Sequence, residues 1–339
     1  MSYKLKTLIV FDTNSLRSTD SGEVAYSFFA FGRPFQMIEN FIIEKNLMED
    51  VHIAIPTWAI EELKDQKQIQ YKEDFHEFKR IAKRLSGMPH IQEIVLPEIE
   101  FDCAAYIQQK SDEFLATKEL KLMGIPEANA NAILQNMMHR VMKEERMKHP
   151  FVHAKKGNKT YKDAGFKDNL IWESLLHFQE IENYDKVIFL TADSDYTNCK
   201  AEFIRKWNKH FTILQDENNV LVEVQKDYDN YIKERSIHDF VQTEYFVDYL
   251  KDQLKVRTAI VIEGVEYKIE NYTIADICKY VNRLPPNDNE VENLIISSII
   301  NIHFTKCKEK VTQPIEAQTL LWDDETKDII STEYNFDIK

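Results

Sequence analysis

Glycine is scarce in this chain, 7 in 339 residues, and proline is hardly commoner, at 9. That excludes a collagen-like, linker-rich or low-complexity architecture. No GxGxxG turn occurs, so nothing is set up to cradle a dinucleotide pyrophosphate at a strand-to-helix turn. Apolar runs are short, and none approaches the ~18 residues that suggest a bilayer-crossing helix; no membrane partner is expected. Met1 to Lys6 run straight into a strand-like segment without the small-residue cleavage site of a signal peptide. The four cysteines, Cys103, Cys199, Cys278 and Cys307, show no CxxC spacing. Idle thiols in a reducing cytoplasm are the expectation.

What is present is enough apolar residue, 43%, for a proper core, in a chain long enough for two domains. Thr7 to Phe11, His52 to Ile55 before Pro56, Lys186 to Thr191 and Phe211 to Leu214 are short apolar runs with β-branched content, and read as buried strands. Helical spacing lies between them, at Phe75, Phe78, Ala82 and Leu85 and at Ile171, Leu175 and Phe178. Strands alternating with helices predict an α/β fold with a parallel sheet between helices. Residues 101 to 148 read as wholly helical, with an apolar core stripe at Ile133, Leu134, Met137, Met138 and Val141, and residues 153 to 167 read as a loop. The expected organisation is a first domain over 1–225 with a helical insertion at about 101–150, a helical connector over 226–255, and a small α+β accessory domain over 256–339. Within the last, residues 259 to 267 read as a hairpin turning near Gly264, residues 320 to 336 as a second, and residues 295 to 304 as either strand or helix.

Acids stand where the strands end. Asp12 follows the first run, and Asp193 and Asp195 follow the run ending at Thr191. In an open parallel sheet ligands collect beyond the carboxyl ends of the strands, so these side chains are expected at one crevice. Glu62 shares a helical face with Ala59 and Leu63, whereas Glu61 shares one with Trp58 and Asp65. A charge on an inward face needs a partner or a metal, which favours Glu62 and leaves Glu61 open. Asp168 opens a helical pattern, where an acid also suits the helix dipole. Several carboxylates at one point repel unless protonated or bound to a cation. An all-oxygen set suits Mg²⁺ or Mn²⁺ rather than zinc, and such an ion can activate water against a phosphodiester.

The segments carrying these acids resemble the motifs of PIN-domain nucleases. Phe11-Asp12-Thr13-Asn14 resembles the opening motif, and Ile55-Pro56-Thr57-Trp58-Ala59-Ile60-Glu61-Glu62-Leu63 the second. Lys167-Asp168-Asn169-Leu170-Ile171-Trp172-Glu173 resembles the third, and Leu190-Thr191-Ala192-Asp193-Ser194-Asp195-Tyr196 the fourth. All four stand in the family's order, over roughly residues 5–220. The resemblance implies metal ligands at Asp12, Glu62, Asp168 and Asp193, an auxiliary acid at Asp195, and supporting hydrogen bonds from Thr13, Asn14 or Thr191. It implies one or two Mg²⁺ or Mn²⁺ ions and cleavage of single-stranded RNA, DNA coming second, as in bacterial toxins or defence effectors. The long insertion and the C-terminal domain depart from the small toxins and are closer to larger bacterial PIN-like proteins. A haloacid-dehalogenase-type phosphatase would need a second aspartate two residues after Asp12, where Asn14 stands.

Net charge is −14, which opposes polyphosphate binding, but the average hides a reversal. From His139 to Lys167 there are nine Lys and Arg against three Asp and Glu. Lys155, Lys156, Lys159, Lys162 and Lys167 are therefore the expected phosphate contacts. The acidic C-terminal part is left for a regulatory protein partner or a second copy of the chain.

Overall fold

The computed structural model describes residues 5–17, 26, 28–90, 101–142, 154–156, 159–161, 165–285 and 292–334, with the backbone alone for 139–142, 154–156, 159–161, 195 and 198. The chain divides into two compact units, 4–225 and 226–339.

The first unit opens with β1 (Thr7–Phe11), α1 (Thr13–Leu16), α2 (Arg33–Glu44), β2 (Val51–Pro56) and α3 (Thr57–Leu85). There follow α4 (Cys103–Leu115), β3 (Leu120–Met123), α5 (Ala130–Met142), the short strands β4 (Ala154–Lys156) and β5 (Lys159–Tyr161), and α6 (Phe166–Leu176). It closes with β6 (Lys186–Leu190), α7 (Lys200–Trp207), β7 (His210–Leu214) and the start of α8 (Glu217–Val241). The sheet order is β3-β2-β1-β6-β7, parallel throughout. This is the expected α/β layering, with β1 and β6 as the inner strands that carry Asp12 and Asp193 at their ends. Every residue of β1 and β6 is buried, as strands covered on both faces must be, so beyond Thr7 and Lys186 at their starts their sequences are apolar runs rather than alternations.

Three readings of the sequence need correction. Residues 101 to 148 are not wholly helical: β3 extends the sheet, pairing with β2 from Ile53↔Leu120 to Pro56↔Met123. As an edge strand it buries only Met123 and leaves Leu122 48% exposed, so it lacks the apolar signature of its neighbours. The 153–167 loop contains a small antiparallel pair, β4 with β5, whose three-residue strands are too short to show a period. In α5, Ile133 and Met137 pack with Leu170, while Leu134 and Met138 stay exposed and are not core; the side chain of Val141 lies outside the described atoms.

The second unit takes up the rest of α8, then α9 (Glu244–Lys255), β8 (Ala259–Ile262), β9 (Val265–Arg283), β10 (Leu294–Lys306), β11 (Glu309–Leu321) and β12 (Ile329–Tyr334). Its sheet runs β12-β11-β10-β9-β8, antiparallel at every pairing. Leu294, Ile296, Ser298, Ile300, Ile302 and Phe304 are all buried, the period of two that makes this segment a strand. Glu263 and Gly264 both take positive φ, 51° and 79°, as a tight two-residue hairpin turn requires. The span read as a connector supplies core here: Ile237, Val241, Phe246 and Leu250 pack with Leu294, Ile296 and Leu321. Among the described residues no helix is long and apolar enough to cross a membrane.

Candidate active site

Asp12 stands one residue past β1, and its backbone N–H donates to the Leu190 carbonyl at 3.1 Å, continuing the parallel ladder to β6. The side chain is 2% exposed. Oδ1 accepts from the Thr13 N–H at 2.7 Å, capping α1, and Oδ2 accepts from the Thr191 hydroxyl at 2.9 Å. The Thr191 oxygen in turn accepts the Asp193 N–H at 3.0 Å. One buried threonine thus ties the acid ending β1 to the loop leaving β6.

Burial, first, and then the charges of Asp168 and Asp193 push the Asp12 carboxyl up to about 7, against the hydrogen bonds from Thr191 and Thr13. Tyr196, fully buried, feels the same three acids: burial raises its phenol furthest, followed by Asp12, Asp168 and Asp193. Its hydroxyl donates to the Asp168 carbonyl at 3.3 Å. Three acids from β1, the start of α6 and the end of β6 therefore share one electrostatic neighbourhood. Asp168 is placed by the turn before it: Gly165 takes φ 89° at the N-terminus of α6, and the Asn169 amide donates to the Gly165 carbonyl at 2.6 Å.

Glu62, in the second turn of α3, is 16% exposed and accepts from Arg17 Nη2 at 3.1 Å and from Gln66 Nε2 at 3.0 Å. Lys167 Nζ lies 3.9 Å from the same carboxylate, so the residue before Asp168 faces Glu62. Glu61 turns away, 58% exposed and paired with the buried Lys64 at 2.5 Å. Asn14 is exposed and, among the described residues, supports nothing by a side-chain hydrogen bond. The neighbouring Ser15 does so instead, donating to the Leu190 carbonyl at 3.1 Å. Thr13 is buried, and its hydroxyl has no partner among the described residues. The side chains of Asp195, Lys155, Lys156 and Lys159 lie outside the described atoms, and Lys162 lies outside the described residues. Sequence reasoning missed Ser15 and Arg17; their only signal was proximity to Asp12.

The donor chemistry suits a divalent ion. The acids are oxygen ligands, and the elevated Asp12 pKa marks a crowded negative site that a cation would relieve. The full set is not drawn together, however. Among the described residues no three His, Cys, Asp or Glu side chains form a group that could hold a metal, and the Glu62 carboxylate is occupied by Arg17. A family model for the PIN domain matches residues 9–196, more than half of the 339 residues. The chain belongs to the PIN-domain family. Comparison with curated proteins gave no match, and comparison with solved structures gave none. The PIN-domain match begins inside β1 and ends at Tyr196, so it takes in Asp12, Glu62, Asp168 and Asp193. PIN domains are in general nucleases, acting on nucleic acid and typically using divalent metals.

Proposed function

We propose that this PIN-domain protein is a divalent-metal-dependent endonuclease that hydrolyses phosphodiester bonds, with single-stranded RNA preferred over DNA. The observation carrying this is Asp12 at the end of β1, whose pKa is raised first by burial and then by the charges of Asp168 and Asp193. A folded protein keeps such a cluster at a cost in apo stability, which points to a use for it. A bound Mg²⁺ or Mn²⁺ would have to draw the Asp12, Asp168 and Asp193 carboxylates together, with Asp195 as an auxiliary acid and Glu62 joining on release from Arg17. The bound ion would supply an activated water and stabilise the charge developing on the leaving oxygen.

The chain's own contributions follow from its hydrogen bonds. Thr191 orients one Asp12 oxygen and anchors the Asp193 backbone. The Thr13 N–H orients the other Asp12 oxygen. Arg17 and Lys167 bring positive charge beside Glu62, where a scissile phosphate would otherwise meet a bare carboxylate. The basic stretch ahead of Asp168 adds lysines for flanking phosphates.

The ungathered ligand set favours one second reading, a PIN fold retained for binding with little catalysis. Incubation of labelled RNA and DNA strands with the protein, with Mn²⁺, with Mg²⁺ and with chelator, separates the two. Metal-dependent shortening of the RNA that Asp12→Asn abolishes supports the nuclease. Binding without cutting under every metal sinks it.

A further inference from the structure

α3 is long, and its buried side chains stop at Lys64 and resume only at Ala82. Aromatic rings occupy the turns between. Tyr71 stacks on Phe75 with centroids 5.8 Å apart and planes 10° apart. Phe101, 49% exposed, leans on Tyr71 at 5.5 Å and on Tyr106 at 5.4 Å. Phe78 is 44% exposed. The Lys79 ammonium sits 4.3 Å from the Phe75 centroid, within cation–π range.

The charge changes over the same turns. From Phe78 to His90 the sequence holds Lys79, Arg80, Lys83 and Arg84 and no acid, in a chain of net charge −14. All four cations are exposed. Arg80 pairs with Glu77 at 2.6 Å; among the described residues Lys79, Lys83 and Arg84 have no such ion pair. Packing α3 against α4 accounts for Tyr71 and Tyr106. It does not account for the exposed rings at Phe78 and Phe101, or for exposed cations that lack an ion pair among the described residues. Ring faces next to cations are what an unpaired nucleic-acid strand needs, since every base has a π-face to stack and every nucleotide a phosphate to neutralise.

We infer that the distal half of α3, with Phe101 beside it, is a docking stripe for a single nucleic-acid strand. Phe78 and Phe101 offer ring faces to unpaired bases, and Lys79, Lys83 and Arg84 take backbone phosphates. This rests on the nuclease reading, because the same helix carries Glu62 near its start. Phe78 lies sixteen residues beyond Glu62, about 24 Å along the helix axis. A strand held at the carboxylates must therefore run several nucleotides past the cut to reach the stripe, so binding should strengthen with length.

The test uses the full chain in chelator, by fluorescence anisotropy, with oligouridylates of about five and about twenty nucleotides and a duplex of the longer length, spanning the usual single-strand site sizes. The variants are Phe78→Ala and the triple Lys79→Gln, Lys83→Gln, Arg84→Gln, each checked for an unchanged melt. The wild type should prefer the longer single strand to both the short one and the duplex. Phe78→Ala should weaken the long strand roughly 5- to 100-fold, and the triple variant should flatten the log-affinity salt slope by roughly 2, at about 0.7 per phosphate. Both should erase the length preference. Unchanged affinity for the long strand in both variants, losses equal on short and long strands, or duplex bound as well as single strand would overturn the stripe. A wild type that binds long strands in this way but cuts none with Mn²⁺ leaves the stripe standing and removes the nuclease reading; cutting that survives beside unchanged binding in the variants does the reverse.

Discussion

At the scale of single residues, the Asp12 carboxyl is the feature with the sharpest consequences. Its unfolded value is 3.8 and its folded value about 7, so the native state prefers the proton. A raised pKa contributes stability that is fully present below the unfolded value and lost as pH rises through the folded one. Metal-free protein should therefore lose stability between about pH 4 and pH 7, by up to a few kcal/mol from this group. Asp12→Asn should lack that component. Urea melts of both proteins in chelator across this range test it, and parallel pH profiles would rule it out. With Mn²⁺ present, Asp12→Asn should abolish cleavage while its chelated form melts no earlier than wild type. Thr191→Val removes the hydroxyl that holds both Asp12 and the Asp193 backbone; loss of such an orienting contact should cost about 10- to 100-fold in metal affinity or activity, read by metal titration. Asp12 and Asp193 were legible as candidates because they follow apolar runs, Glu62 because it shares a helical face with Ala59 and Leu63, and Asp168 because it opens a helical pattern. Arg17 and Ser15 were not: neither has a motif, and their partners, Glu62 and the Leu190 carbonyl, are distant in sequence and met only on folding.

At the scale of elements, legibility followed burial. β1 and β6 were readable because burial on both faces makes their sequences apolar in succession after the first residue. β3 was not, because an edge strand with one buried residue carries no pattern to read. β10 resisted assignment over 295–304 because isoleucines fall on both faces, while its even positions, with Ser297, are the buried ones. The turn into α6 bears directly on the site. Gly165 sits at φ 89°, a region costing an L-residue roughly 1–2 kcal/mol. Gly165→Ala should lower the melting temperature by about 2–4 °C for each kcal/mol in a unit of this size, and it should also shift Asp168 and slow cleavage. A melt lowered as expected with cleavage unaffected would show that the turn does not set the position of Asp168.

At the scale of the whole molecule, charge divides the labour. Residues 226–339 carry 22 Asp and Glu against 14 Lys and Arg, a net of −8 in about a third of the chain. A surface of that sign repels polyphosphate, and the PIN-domain match stops well before it. The unit nonetheless has its own core, in which Leu254, Ile260, Ile300, Ile302, Phe304 and Ala317 are buried together. We expect it to serve recognition or assembly, with no part in phosphodiester cleavage. Ile300→Ala in the full chain should destabilise it by about 2–5 kcal/mol, the usual effect of truncating a buried isoleucine, because the methyl groups leave a cavity between β10 and its neighbours. Calorimetry should then show an early transition that wild type lacks. Cleavage of a short single strand, measured just above that transition and below the next, should continue at the wild-type rate, since Asp12, Asp168 and Asp193 all lie on elements of the first unit. A rate that collapses together with the early transition would make the second unit part of the cutting machinery, and its acidic surface would then need a partner that brings cations to the substrate.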